Sequence, residues 1–228
     1  LPTRTPLLQR HVLLILAILC CLLYASSRSS AWDPGRISQL MAKLHGATAA
    51  RSFDELNRYT ASLRSLPDED KLKRVNEYFN RRIRFEDDQL VWKQADYWAT
   101  LGETLAKGAG DCEDFTIAKF VTLRELGIAA EKLRLTYVKA RIGGASSSVT
   151  VAHMVLAYYA TPDSEPLILD NLLTDIKPAS SRPDLSPVFS FNNEGIFAGS
   201  AQRPSAGVDR LSRWKDLLLR LQAEGIEP

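Results

Sequence analysis

Residues 108–127 read GAGDCEDFTIAKFVTLRELG, and this stretch decides the fold. Gly108, Gly110 and Asp111 break the chain ahead of Cys112. Phe115, Ala118, Phe120, Val121 and Leu123 then supply the apolar side chains of a mostly buried helix that stops at Leu126-Gly127. Asp111 takes the N-cap position and Asp114 lies three residues on, the spacing of a capping box. Cys112 therefore opens a buried helix, where unsatisfied backbone N–H groups and the macrodipole favour a thiolate. The alternative is an inert cysteine that packs as a small hydrophobe.

Working outward from the helix, three runs rich in Val, Leu, Ile and Tyr follow, at Leu133–Ala140, Val149–Ala160 and Leu167–Asp170, separated by Gly/Ser-rich or Pro-containing turns. They predict an antiparallel sheet. His153 lies in the second run, on the face of Val151, Val155 and Ala157 by period-2 alternation. Asp170 ends the third, where a short hairpin brings it beside His153 and a carboxylate would fix the imidazole tautomer. Cys112, His153 and Asp170 thus form a candidate nucleophile, base and orienting group for acyl transfer. The Cys112 backbone N–H is one candidate oxyanion donor, with a side chain of Trp92, Gln94 or Trp98 as the other.

Charge complicates this assignment. Asp111, Glu113 and Asp114 crowd the thiol, and like charge nearby raises a thiol pKa. A protonated His153 offsets part of that charge, and a bound Ca²⁺, which takes carboxylate oxygens, would offset more. Plain helix capping with solvated acids is the competing account.

Upstream, Asp33-Pro34 starts a helix over residues 34–45, Phe53, Leu56, Tyr59 and Leu63 mark a second, and Leu72, Val75 and Phe79 a third after Pro67. Residues 85–100 lack a clean period and read as a structured loop whose Trp92, Tyr97 and Trp98 either wall a cleft or fill the core. Beyond Asp175, Ser, Pro and Asn predict loops with at most a small hairpin, before Leu211, Trp214, Leu217, Leu218 and Leu221 form a last amphipathic helix. The fold class is α+β, a helical lobe packed on an antiparallel sheet.

Residues 1–31 stand apart: Arg4, Arg10 and His11 precede an apolar run from Val12 to Ala25, and Ser29-Ser30-Ala31 offers a small-residue cleavage site. This predicts a secretory signal peptide, with an uncleaved anchor as the alternative, and an exported mature domain over residues 32–228. Without the leader the chain carries 26 Lys and Arg against 27 Asp and Glu. That balance, with no basic stripe, excludes nucleic acid as an expected partner. Cys20 and Cys21 leave with the leader, so Cys112 is the one thiol of the mature chain and no internal disulfide forms.

The segments YWATLGETLAKGAGDCEDFTIAKFVTLRELGI, AHMVLAYY and LILDNL resemble the bacterial transglutaminase-like cysteine proteinases, in particular the periplasmic adhesin-releasing type. The resemblance spans roughly residues 32–225. It implies a papain-like, transglutaminase-like fold with Cys112, His153 and Asp170 as catalytic triad and calcium held by Asp111, Glu113 and Asp114. It further implies cleavage of the N-terminal region of a large surface adhesin, within a segment holding two consecutive alanines, and release of cells from a biofilm. The inhibitor it implies is the periplasmic domain of an inner-membrane receptor for cyclic di-GMP. Two other functions fit the same residues: another thiol acyl-transfer enzyme, such as a transglutaminase or deamidase, and a non-catalytic peptide-binding module.

Overall fold

Three helices open the described part of the chain, residues 32–227 of the computed structural model; the leader assigned to residues 1–31 lies outside it. Helix α1 (Pro34–His45) starts where the Asp33 carboxylate accepts the Arg36 N–H at 3.0 Å, and it stops at Gly46, whose φ of 88° ends helical geometry. Helix α2 (Ala47–Ala61) buries Phe53 and Leu56 as predicted, but it begins before the first large apolar residue, with only Ala49 buried in its opening turn. Helix α3 (Asp68–Arg82) gathers Asp68, Glu69 and Asp70 in its first turn, where they complement the macrodipole, and buries Leu72, Val75 and Phe79.

A short strand β1 (Arg84–Phe85) and a single-turn helix α4 (Asp88–Val91) lead through the predicted loop to helix α5 (Leu101–Lys107). Thr100 and Glu103 form a reciprocal capping box at the start of α5. Strand β2 (Ala109–Gly110) pairs in parallel with β1, which anchors the chain immediately before helix α6 (Cys112–Glu125). Gly110 is required there, because a Cβ would collide with the Asp114 carboxylate. Helix α6 buries every side chain from Asp114 to Leu123, so it runs through the core and packs on both α3 and the sheet.

The sheet comprises β3 (Leu133–Arg141), β4 (Thr150–Tyr158), β5 (Leu167–Leu169), β6 (Lys177–Pro178), β7 (Leu185–Asn192) and β8 (Gly195–Ala198). All are antiparallel to their neighbours, in the order β6-β5-β4-β3-β7-β8. The region beyond Asp175 therefore contributes more than the small hairpin expected of it, since β7 pairs with β3 along most of its length. Its pattern was masked by a bulge: the register shifts between Tyr137 and Val138, leaving Val188 extra, so Phe189 and Phe191 face one side while Leu185 and Pro187 face the other.

One face of the sheet meets α6. Leu135, Leu156 and Phe191 share that face by register. Phe191 stacks on Trp98 at 5.6 Å and meets Trp214 edge-on at 5.3 Å, and Trp214 in turn meets Phe120 of α6. Helix α7 (Ser212–Ala223) thus spends its stripe of Trp214, Leu217 and Leu221 on the core. The opposite face carries a second cluster of Val138, Ala140, Val155, Ala157, Tyr159 and Ile168, covered by Ala179 and Leu185. Among the described residues no helix is long and apolar enough to cross a membrane.

Candidate active site

Strand β5 is short, and its length creates the site. Its ladder with β4 ends at the Leu156–Leu169 pair, so the edge of β4 beside Met154 has no neighbouring strand. The first turns of α6 occupy that edge. The Met154 backbone N–H favours the Cys112 thiolate, and Thr116 Oγ1, one turn along α6, donates to the Met154 carbonyl at 3.2 Å. The nucleophile candidate is thereby fixed against the residue that follows His153.

His153 is buried, and its Nε2 lies 2.8 Å from Asp170 Oδ1. With Nε2 engaged, Nδ1 is the ring nitrogen left for a second partner. Asp170 also accepts the Leu172 N–H on Oδ1 at 2.9 Å and Arg182 Nη2 on Oδ2 at 2.8 Å. Burial penalises its charged form, but these hydrogen bonds outweigh burial and hold the carboxyl at about 2. Asn80 donates to the Asp170 carbonyl at 2.7 Å, which ties the loop after β5 to α3. The sequence reading named Cys112, His153 and Asp170, but not Thr116, Asn80 or Arg182. Arg182 carried no signal in a Ser/Pro-rich stretch, and its role comes only from the chain's return to Asp170.

The acids next to Cys112 act as the spacing predicted, and also as more. Asp111 accepts the Glu113 N–H at 3.2 Å while the Asp114 carboxylate accepts the Asp111 N–H at 3.3 Å, completing the capping box. Glu113 accepts the Cys112 thiol at 2.7 Å, and the Tyr137 hydroxyl reaches its other oxygen at 3.5 Å. Burial, then Glu113 and Asp111, push the thiol pKa up. Asp111 is likewise pushed up, by burial and by Glu113, Asp114 and Asp88. So much uncompensated negative charge favours a cation.

In each of two groupings the ligand atoms lie within 4.8 Å of one another: Asp111 with Cys112 and Glu113, and Asp88 with Asp111 and Asp114. Asp88, absent from the sequence-derived set, is buried, accepts the Tyr97 N–H on Oδ2, and has no hydrogen-bond partner for Oδ1 among the described residues. An orphaned buried carboxylate oxygen facing two further acids is a donor set suited to a hard cation such as Ca²⁺. Asp114 is the more committed of the acids, since its oxygens already accept the Ala99 and Asp111 N–H groups.

Of the three side chains considered for the oxyanion hole, Gln94 is exposed. Trp92 packs on Tyr97, with Lys107 over its ring. Trp98 lies 6.3 Å from Tyr137, the residue that reaches Glu113, and its Nε1 has no partner among the described residues.

Known proteins resemble this chain in both sequence and fold. The model of the family described as bacterial transglutaminase-like cysteine proteinase matches residues 54–183. Legionella pneumophila LapG in its EGTA-treated form superposes with a TM-score of 0.72 at 35% identity, covering 85% of this chain and 100% of that one. The calcium-bound form gives 0.69 at 37% identity, covering 82% and 98%. No curated protein sequence matches the chain significantly.

Proposed function

The chain belongs to the bacterial transglutaminase-like cysteine proteinase family, and from that premise we propose that it is a periplasmic, calcium-dependent cysteine endopeptidase. Its substrate is the N-terminal region of a large surface adhesin, whose cleavage releases cells from a biofilm. The observation that carries the proteolytic reading is the His153–Asp170 hydrogen bond, made by the residue that immediately precedes Met154, whose backbone N–H acts on Cys112. In this reading the Cys112 sulphur attacks the scissile carbonyl and gives up its proton to His153. His153 then protonates the leaving amine, and Asp170 stabilises the imidazolium in between. Water releases the acyl group from the thioester.

Calcium enters the proposal because Asp111 groups with Glu113 on one side and with Asp88 and Asp114 on the other, and because the similar Legionella protein exists in a calcium-bound form. When bound, Ca²⁺ supplies positive charge that offsets the acids around the thiol. Regulation by the periplasmic domain of a cyclic di-GMP receptor belongs to the same proposal.

The test is cleavage of an adhesin N-terminal fragment by the wild type and by Cys112→Ala. Loss of cleavage in the variant is expected, and retained cleavage would overturn the reading. Mass spectrometry of the products separates backbone hydrolysis from the side-chain mass change that a transglutaminase or deamidase would leave.

A further inference from the structure

The sheet face that carries His153 continues into a cavity of about 160 Å³, lined by Val138, Val155, Ala157, Ile168, Tyr159 and Leu185. A cavity of about 150 Å³ with apolar walls is large enough to take up benzene. This one is not wholly apolar, because Arg182 also lines it. Arg182 is only 4% exposed, and its Nε and Nη2 are spent on Asp184 and Asp170. Its Nη1 is buried with no hydrogen-bond partner among the described residues. A charged donor left in that state is costly unless something accepts from it.

The mouth of the cavity is a constructed feature. Ser200 and Gln202, both exposed, stand at its rim. Arg134 fastens the segment between them by donating to the Ala201 carbonyl at 2.9 Å and the Gln202 carbonyl at 3.4 Å. The Arg134 guanidinium is itself held over the rings of Phe197 at 3.8 Å and Tyr159 at 4.4 Å.

We propose that this cavity binds a small neutral molecule with a benzene-sized apolar body and one carbonyl-type acceptor, the acceptor receiving the Arg182 Nη1 hydrogen bond. Charge selects a neutral ligand. The guanidinium already faces the Asp170 and Asp184 carboxylates, so an anionic ligand would bring a third negative group to one positive one. The site does not depend on the proteolytic reading, and its test is read by binding alone.

Acetophenone, ethylbenzene and benzoate share the apolar body and differ in the acceptor, and each is titrated into the protein while the methyl signals of Val138, Val155 and Ile168 are followed by NMR. Acetophenone is expected to shift those methyls and to bind at least about tenfold more tightly than ethylbenzene, the worth of one hydrogen bond to a charged donor. Benzoate is expected to bind most weakly. Ala157→Leu, which fills the cavity, is expected to abolish the shifts, and the wild-type series decides the matter even where that variant fails to fold. Equal affinity for acetophenone and ethylbenzene, tightest binding by benzoate, or no shift at those methyls overturns the proposal.

Discussion

Arg182 donates through Nη2 to Asp170 Oδ2 at 2.8 Å, on the carboxylate oxygen that His153 does not use. The candidate triad is therefore continued by a buried guanidinium, which Asp184 holds from its other side. Such an arrangement orients Asp170 from both ends, so the imidazole meets a carboxylate that cannot turn.

Replacing Arg182 by Met should expose that dependence. A buried carboxylate loses a charged partner, a change expected to cost about 3–5 kcal/mol of stability. The pH dependence gives a second readout. Asp170 sits at about 2, below its ordinary 3.8, so the stability it contributes is present above the ordinary value and is lost as pH falls through about 2. Without Arg182 that loss should begin at higher pH, visible as an acid-unfolding midpoint moved upward. An unchanged midpoint would show that His153 and Leu172 hold Asp170 unaided.

Asp88→Asn tests the metal assignment. If Asp88 contributes its unpartnered Oδ1, calorimetric calcium affinity should fall on the order of tenfold or more, as when a metal site loses a supporting group. Calcium should also raise the melting temperature of the wild type, with about 2.7 kcal/mol of stabilisation at a free concentration about 100 times Kd. A chelator should reverse this. Wild-type calcium affinity in the variant would remove Asp88 from the ligand set and leave Asp111 and Glu113 to carry it.

Much of the site was legible in the sequence because its signals are local. The capping pair Asp111 and Asp114, the break at Gly110 and the buried helix behind Cys112 all lie within a few turns of chain. The alternation that put His153 with Val155 and Ala157 held, and the hairpin delivered Asp170. Asp88, Thr116 and Arg182 were not legible, because each acts on a residue that only the tertiary fold brings near. Strand β7 escaped for another reason: one bulge at Val188 scrambles the period-2 pattern by which a strand is recognised.

The other histidine of the described residues offers a pH test away from the chemistry. His45 Nε2 lies 2.7 Å from Glu224 Oε1, joining the end of α1 to the end of α7, and Glu224 is buried at 1% exposure. The Glu224 hydrogen bond raises the His45 pKa, with burial opposing it. A raised folded-state pKa means that the stability is fully present below the ordinary value of 6.5 and is lost as pH rises through the folded one. Wild-type stability should therefore decline across that window, whereas His45→Ala should start lower by about 1.5–3 kcal/mol and show a flatter profile. Denaturant unfolding at a series of pH values measures both, and parallel profiles would rule the pair out as the source.

Thr116 and Thr122 lie on the same buried helix and should respond oppositely to the same substitution. Thr116 Oγ1 donates to the Met154 carbonyl at the open edge of β4, whereas Thr122 Oγ1 is buried with no hydrogen-bond partner among the described residues. Thr→Val keeps the shape and removes the hydroxyl. At Thr116 this strands a backbone carbonyl and should cost about 1–3 kcal/mol; at Thr122 it removes an unpaired polar group and should be neutral or stabilising. Activity should divide the same way. Loosening the Thr116 contact frees the strand residue against which Cys112 is set, so kcat should fall with KM little changed, because the nucleophile is misplaced and not the substrate. Thr122→Val should retain the wild-type kcat. If Thr116→Val lowers stability but leaves kcat intact, the Met154 N–H alone is enough to hold Cys112 in place, and the hydroxyl serves only the fold.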